Sequence, residues 1–172
     1  MAKEIERKVL LEGRLEGSLL RINGLEGALD LGSGVEILQG YLPLEMAGEM
    51  RWVFDHPYPK HFAPSEIRLR QKGRKYFLTV KGEGTIEREE HESAISESVF
   101  QGYWGQTRGK RVCKIRMKRP FKSHTFEIDY FTDRELILGE IEFRSLDEAN
   151  SISLPGKDVT EDKQYKNKNL AK

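Results

Sequence analysis

The sequence predicts a mainly β protein of the α+β class: a closed eight-stranded antiparallel β-barrel with a charged interior, flanked by helices. Charged and apolar residues alternate along most strand candidates, so each strand has one ionic and one apolar face. Several ionic faces carry one sign only, and like charges repel unless an opposite face or a ligand compensates them. A barrel of about eight strands would enclose these ionic faces around one small ligand, with the apolar faces outward and covered by helices.

The first strand candidate carries the motif Glu4-x-Glu6-x-Lys8. Side chains two residues apart on a strand share a face, so these three point one way and Ile5 and Val9 point the other. Carboxylates are hard oxygen ligands for a divalent cation, and an ammonium group binds phosphoryl oxygens. An ordinary solvated strand shows the same pattern, so this motif alone does not indicate a site. The repetition of the pattern in later segments is what favours one.

The region after this strand is less regular. We expect a short helix around Leu19, Leu20 and Ile22, interrupted by Gly24 and Gly27.

A strand is expected at 37–42, followed by an excursion at 43–65 that holds four of the six prolines. Proline removes a backbone donor, so the proline-rich part cannot be a central strand. We expect an extended hairpin with a long surface connection. A lid or a partner contact is the alternative.

Ionic strand faces then recur to the end of the chain, with one short helix among them. In chain order they are Arg68 with Arg70; Lys81 before a glycine turn; Arg88 with Glu90 and Glu92; Lys114 with Arg116 and Lys118; Glu127 with Asp129; and Glu140 with Glu142. The helix is predicted from Ala94 to Tyr103, with Ser93 as its N-cap.

Length and composition limit the class of protein. The 172 residues suit a single domain, 1–172. A net charge of +1 argues against bulk electrostatic binding of nucleic acid. The single cysteine, Cys113, fits a reducing compartment, and the first residues do not resemble a signal peptide. No apolar run approaches membrane-spanning length, so we expect a cytoplasmic protein.

The order of the motifs resembles the CYTH domain, or triphosphate tunnel metalloenzyme, superfamily, over nearly the whole chain. The closing segment 159–167 and the stretch Gln39-Gly40-Tyr41-Leu42 are most similar to the small bacterial members that hydrolyse inorganic triphosphate. The resemblance implies an eight-stranded antiparallel tunnel flanked by helices. It also implies a C-terminal helix at 158–172 near one tunnel mouth, with Thr160 as its N-cap.

The resemblance implies a role for each charged face. Glu4, Glu6, Glu140 and Glu142 would bind the metal, Mg²⁺ or Mn²⁺. Glu92 and Asp129, with Glu90 and Glu127 as further candidates, would orient a second metal or the attacking water. The phosphate chain would be held by Lys8, Arg68, Arg70, Lys81, Arg88, Lys114 and Arg116. The catalytic candidates are Glu6, Lys8, Arg70, Glu92, Lys114 and Asp129, with Asp129 also a candidate metal ligand.

Two departures from the family pattern bear on substrate preference: the long 43–65 excursion, and Met117 where a tyrosine is common. The sequence therefore leaves alternatives open. They are a nucleoside or thiamine triphosphatase, a class IV-type adenylyl cyclase, and a non-catalytic polyphosphate- or nucleotide-binding module. A nucleobase platform would favour the nucleotide enzymes, and Trp52, Phe54, Tyr58 or Phe62 could provide one.

The sequence predicts no second functional site. The expected partner is a small triphosphate, and the oligomeric state stays open, with a homodimer among the alternatives. Cys113 and the histidines at 56, 61, 91 and 124 are interpreted as structural or surface residues.

Overall fold

The computed structural model describes residues 2–172 and is dominated by antiparallel strands. The strands are β1 (Ala2–Leu10), β2 (Gly13–Glu16), β3 (Leu19–Ile22), β4 (Leu29–Asp30), β5 (Val35–Tyr41), β6 (Glu66–Lys72), β7 (Lys75–Lys81), β8 (Glu87–Ile95), β9 (Arg111–Phe121), β10 (His124–Phe131), β11 (Ile137–Glu142) and β12 (Lys157–Asp158). The helices are α1 (Ala47–Met50), α2 (Glu97–Trp104), α3 (Leu146–Ser151) and α4 (Asn167–Leu170). No helix of residues 2–172 is long and apolar enough to cross a membrane.

Eight of these strands close into the predicted barrel. Their order is β1, β8, β7, β6, β5, β9, β10 and β11, and β11 pairs back onto β1. The two ends of β1 complete the closure, because Glu4 lies opposite Arg88 of β8 and Lys8 lies opposite Glu140 of β11. Both registers set a cation beside a carboxylate. β12 adds a short pairing to β1 outside this ring.

The outward faces of the barrel strands are apolar and covered, as the alternation predicts. One cluster includes Ile5, Phe126 and Ile141 and packs against the small sheet β2–β3–β4 and α3. Burying one such side chain stabilises the fold by about 1.5–3 kcal/mol. The hydrophobic core therefore lies outside the barrel, which frees the interior for charged groups.

The short helix expected around Leu19 is wrong, since these residues form β3. Gly17, at φ +62°, allows a tight turn between β2 and β3. Leu20 and Ile22 are buried, whereas Leu19 is exposed. Burial at every second residue requires a strand here.

The hairpin expected at 43–65 is also wrong. The segment contains α1 and 3₁₀ turns at Leu44–Met46 and Arg51–Val53. Met50, Phe54 and Tyr58 are buried against the outward residues of β6 and β7. The Tyr58 hydroxyl donates a hydrogen bond to the carbonyl oxygen of Ala47 at 2.6 Å. The excursion thus covers an apolar face of the barrel.

Helix α2 starts later than predicted. Ser93 still belongs to β8, where it lies opposite Leu78 of β7. The cap is Ser96, whose hydroxyl accepts a hydrogen bond from the Val99 amide at 3.1 Å.

The continuous C-terminal helix over 158–172 is wrong. The segment consists of the end of β12, a 3₁₀ turn at Lys163–Tyr165 and the short α4. Thr160 caps no helix, because its hydroxyl accepts a hydrogen bond from the Lys8 amide at 3.0 Å. Pairing with β1 holds the chain extended at the point where the helix was expected to begin.

Candidate active site

The barrel encloses a cavity of about 190 Å³ with an almost wholly ionic lining. Its lining residues are Glu4, Glu6, Lys8, Glu66, Arg68, Arg70, Lys72, Lys81, Arg88, Glu90, Glu92, Arg116, Glu127, Glu140, Glu142, Lys166 and Asn167. Eight of them carry a cation and eight a carboxylate. Such a cavity suits a highly charged ligand that needs both signs, such as a phosphate chain with a cation.

One wall combines β6, β7 and β8. Glu92 accepts hydrogen bonds from the Thr79 hydroxyl at 2.7 Å and from Arg70 Nη2 at 3.1 Å. Within residues 2–172, the Nε atoms of Arg68 and Arg70 are buried and have no hydrogen-bond partner. Burial and the neighbouring Arg68 guanidinium lower the pKa of Arg70 to about 10. Crowded cations with free donors indicate an anion site.

The next wall carries Lys81 and Arg88. Lys81 Nζ lies 2.7 Å from Glu4 Oε2 and 3.3 Å from Glu90 Oε2. Arg88 reaches Glu4 at 3.4 Å and Glu66 at 3.6 Å. Lys81 and Arg88 neutralise these carboxylates in the structure. A bound phosphate chain would compete with the carboxylates for the two cations.

Behind the cavity, Asp129 joins Lys114 to Arg116. Asp129 Oδ2 accepts from Lys114 Nζ at 2.6 Å, and Oδ1 accepts from Arg116 Nε at 2.7 Å. Burial lowers the pKa of Lys114 to about 8, although Asp129 opposes this shift. Lys114 and Asp129 are buried and do not line the cavity.

Carboxylates gather where β1 meets β11. Burial, together with Glu140 and Glu4, raises the pKa of Glu6 to about 7. Burial opposes the ionisation of Glu140, yet Lys8 and Arg116 hold its pKa well below the usual range. Burial and the charges of Glu4 and Glu6 raise the pKa of Glu142. The group is thus short of positive charge.

A hard divalent cation fits this donor set in its chemistry, since carboxylate oxygens are its preferred ligands. Glu140 Oε1 supports the fit, because it is buried and accepts no hydrogen bond from residues 2–172, although Lys8 Nζ lies 3.4 Å away. In the same part of the chain, no three His, Cys, Asp or Glu side chains are already grouped closely enough to hold a metal. The carboxylates currently contact lysine and arginine instead.

The two mouths of the tunnel differ. The C-terminal segment crosses one of them, where Lys8 Nζ donates to the Tyr165 carbonyl at 3.1 Å and Lys114 Nζ donates to Asn167 Oδ1 at 3.3 Å. At the opposite mouth lie Lys72, the last residue of β6, and Lys118 of β9, which is 3.8 Å from Glu127. The end that this segment does not cross therefore carries charges of both signs.

The structure brings most of the predicted site residues to one cavity. The exceptions are Lys114 and Asp129, which contact each other behind its wall. Sequence reasoning missed Glu66, Lys72, Lys166 and Asn167. Continuing the alternation of Arg68 and Arg70 by two residues in each direction would have found Glu66 and Lys72. Lys166 and Asn167 belong to an irregular segment that shows no periodic signal.

The suggested nucleobase platform is not at the tunnel. Phe54 and Tyr58 are buried in the outer core, and Trp52 is 70% exposed. Phe62 packs edge-on against His91 at 4.8 Å, outside the barrel, where His91 contacts Glu89. None of these aromatic residues lines the cavity.

Comparison with known proteins gives consistent relatives. No family profile matches the chain. An inorganic triphosphatase of Nitrosomonas europaea is 44% identical over 112 residues, which are 62% of this chain and 74% of that protein. An inorganic triphosphatase of Acetivibrio thermocellus is 31% identical over 179 aligned positions, covering 100% of this chain and 95% of that protein. The crystal structure of the inorganic triphosphatase NE1496 is similar with a TM-score of 0.59 and 34% identity, over 99% of this chain and 95% of that one. The chain therefore belongs to the inorganic triphosphatase family, which confirms the resemblance read from its motifs.

Proposed function

We propose that the protein hydrolyses inorganic triphosphate inside the tunnel, with Mg²⁺ or Mn²⁺ as the cation. Water attacks a terminal phosphorus, the bridging P–O bond breaks, and the products are phosphate and pyrophosphate. Two relatives named inorganic triphosphatase, at 44% and 31% identity, support this substrate.

The cationic side chains bind the substrate in this proposal. Phosphoryl transfer depends on positioning and charge neutralisation more than on a covalent nucleophile. Arg68 and Arg70 line the cavity, and their buried Nε atoms have no hydrogen-bond partner within residues 2–172, so a phosphoryl oxygen that pairs with them breaks no existing bond at these atoms. Lys8, Lys81, Arg88 and Arg116 would exchange carboxylate partners for phosphate.

The carboxylates would hold the cation. Glu4, Glu6, Glu140 and Glu142 all reach the cavity and lie close enough to perturb one another. A divalent cation there would neutralise charge on the phosphoryl oxygens and lower the pKa of a water molecule. Glu6, with its raised pKa, would lose its proton as the cation binds.

One observation carries the proposal: a small cavity inside the barrel whose lining has eight cations and eight carboxylates. A simple anion-binding module needs no carboxylate group of this size. The absence of the four suggested aromatic residues from the lining favours a bare phosphate chain over a nucleotide.

The test is phosphate release from tripolyphosphate, ATP and thiamine triphosphate at equal concentrations, with Mg²⁺ or Mn²⁺ and with EDTA. We expect tripolyphosphate to react fastest and EDTA to abolish the reaction. Equal rates with EDTA would contradict the metal dependence. Faster turnover of ATP would contradict the substrate.

A further inference from the structure

We propose that Thr79 is a positioning residue that sets the phosphate-binding geometry of Arg68 and Arg70 through Glu92; the inference rests on the proposed function. Thr79 lies on β7, faces the tunnel and is completely buried. It is an uncharged residue on a wall that is otherwise almost wholly ionic.

The Thr79 hydroxyl links the Glu92 carboxylate to the Arg68 guanidinium group. It donates to Glu92 Oε2 at 2.7 Å and accepts from Arg68 Nη2 at 3.4 Å. The direct distance from Arg68 Nη2 to Glu92 Oε2 is 3.8 Å, too long for a hydrogen bond. Among side chains of this size, only a hydroxyl can donate and accept at one atom, which the bridge requires.

The bridge fixes one oxygen of Glu92 against the wall. That oxygen also accepts from Arg70 Nη2 at 3.1 Å, so Arg70 is held to it directly and Arg68 is held to it through the Thr79 hydroxyl. Their Nε atoms find no acceptor in the described part of the chain. Both side chains line the cavity, so the arrangement holds the two guanidinium groups in one orientation beside the space that a phosphate would occupy.

Loss of the hydroxyl would release this arrangement. Glu92 would then be free to rotate onto Arg68 or Arg70 and occupy donors that the substrate needs. Losing a hydrogen bond to a charged group changes an equilibrium constant by about tenfold or more, so we expect the triphosphate KM to rise by about that factor. The role requires the hydroxyl and not the methyl group.

The experiment compares Thr79→Val, Thr79→Ser and, as a matched control, Thr125→Val at an exposed position of β10. Two quantities are measured: KM and kcat with Mg²⁺, and the melting-temperature shift caused by tripolyphosphate in EDTA, where no turnover interferes. We expect Thr79→Val to raise KM and reduce the shift. Thr79→Ser and the control should stay within about twofold of the wild type. Thr79→Ala replaces Thr79→Val if the valine variant does not fold.

The outcomes separate this inference from the proposed function. A wild type that neither hydrolyses tripolyphosphate nor is stabilised by it overturns both. An active wild type with a Thr79→Val variant of unchanged KM and unchanged shift overturns the role of Thr79 alone. A Thr79→Ser variant as impaired as Thr79→Val also overturns it, because packing and not the hydroxyl would then matter.

Discussion

Glu6→Gln should stabilise the metal-free protein at pH 8 while removing activity. Burial and the neighbouring carboxylates raise the pKa of Glu6 from 4.5 to about 7. A raised folded-state pKa favours the protonated form, so its stability contribution is complete below pH 4.5 and is lost as the pH rises through 7. Glu6 therefore costs about 3 kcal/mol at pH 8, where it is ionised, and about 1 kcal/mol at pH 5, where it is protonated in the folded protein but mostly ionised in the unfolded chain. Glutamine keeps the shape of the side chain and carries no such cost.

The assay is thermal unfolding in EDTA at pH 5 and pH 8. The gain from Glu6→Gln should be larger at pH 8 by about 2.5 kcal/mol, or roughly 5–10 °C in melting temperature for a domain of this size. Comparing the two pH values removes effects that do not titrate, such as a change in packing. The 3.7 Å ion pair with Arg88 titrates with Glu6 and is part of the measured difference. The control is Glu36→Gln, at an exposed position, which should show no such difference. An equal or smaller gain at pH 8 would refute the account of the carboxylate group.

The remaining predictions concern the cations. Arg70→Ala should raise the triphosphate KM or lower kcat, because a free phosphate donor is lost. Arg74→Ala, in the exposed turn after β6, is its control, and equal kinetics for both variants would remove Arg70 from the site. Lys114 shares Asp129 with the cavity residue Arg116, so its charge acts on the site through that carboxylate. With its pKa lowered to about 8 by burial, this charge is lost above pH 8, and kcat/KM should fall there. Lys114→Arg should keep the charge and move this fall to higher pH. An unchanged dependence of kcat/KM on pH would show that the charge of Lys114 does not cause the fall.

The barrel and most of its lining were predictable from the sequence because alternation of charge has a direct structural meaning. On β6, the sequence Glu66-Ile67-Arg68-Leu69-Arg70 alternates without interruption, and the structure places the charged residues inside and the apolar ones outside. A slip of one residue would reverse every side chain, so the pattern fixes the face.

The parts that sequence reasoning missed depend on tertiary contacts. The hairpin β2–β3 was mistaken for a helix because Leu20 and Ile22 are buried by the barrel and not by their own segment. The excursion at 43–65 folds on the outer face of β6 and β7, which its own sequence does not reveal. The C-terminal segment is held by Lys8 from the other end of the chain.

The site shows the same limit at the level of single residues. Alternation predicted that Lys114 and Asp129 face inward, and they do contact Arg116 and Asn167 there. Their depth behind the cavity wall depends on how neighbouring strands approach, and the spacing of residues along one strand does not contain that information.

The most direct test of the tunnel as a shared site is thermal unfolding with Ca²⁺ alone, tripolyphosphate alone and both together. Calcium is chosen as a cation that binds without supporting turnover. Ca²⁺ relieves repulsion among the carboxylates, and tripolyphosphate relieves repulsion among the lysines and arginines. A cation that bridges carboxylate to phosphate should make the binding of the two ligands cooperative. A ligand at about 100 times its Kd stabilises by about 2.7 kcal/mol, or roughly 5–11 °C here. We predict a joint shift larger than the sum of the separate shifts. A joint shift no larger than that sum at saturating concentrations would show that these charged walls do not enclose one common site.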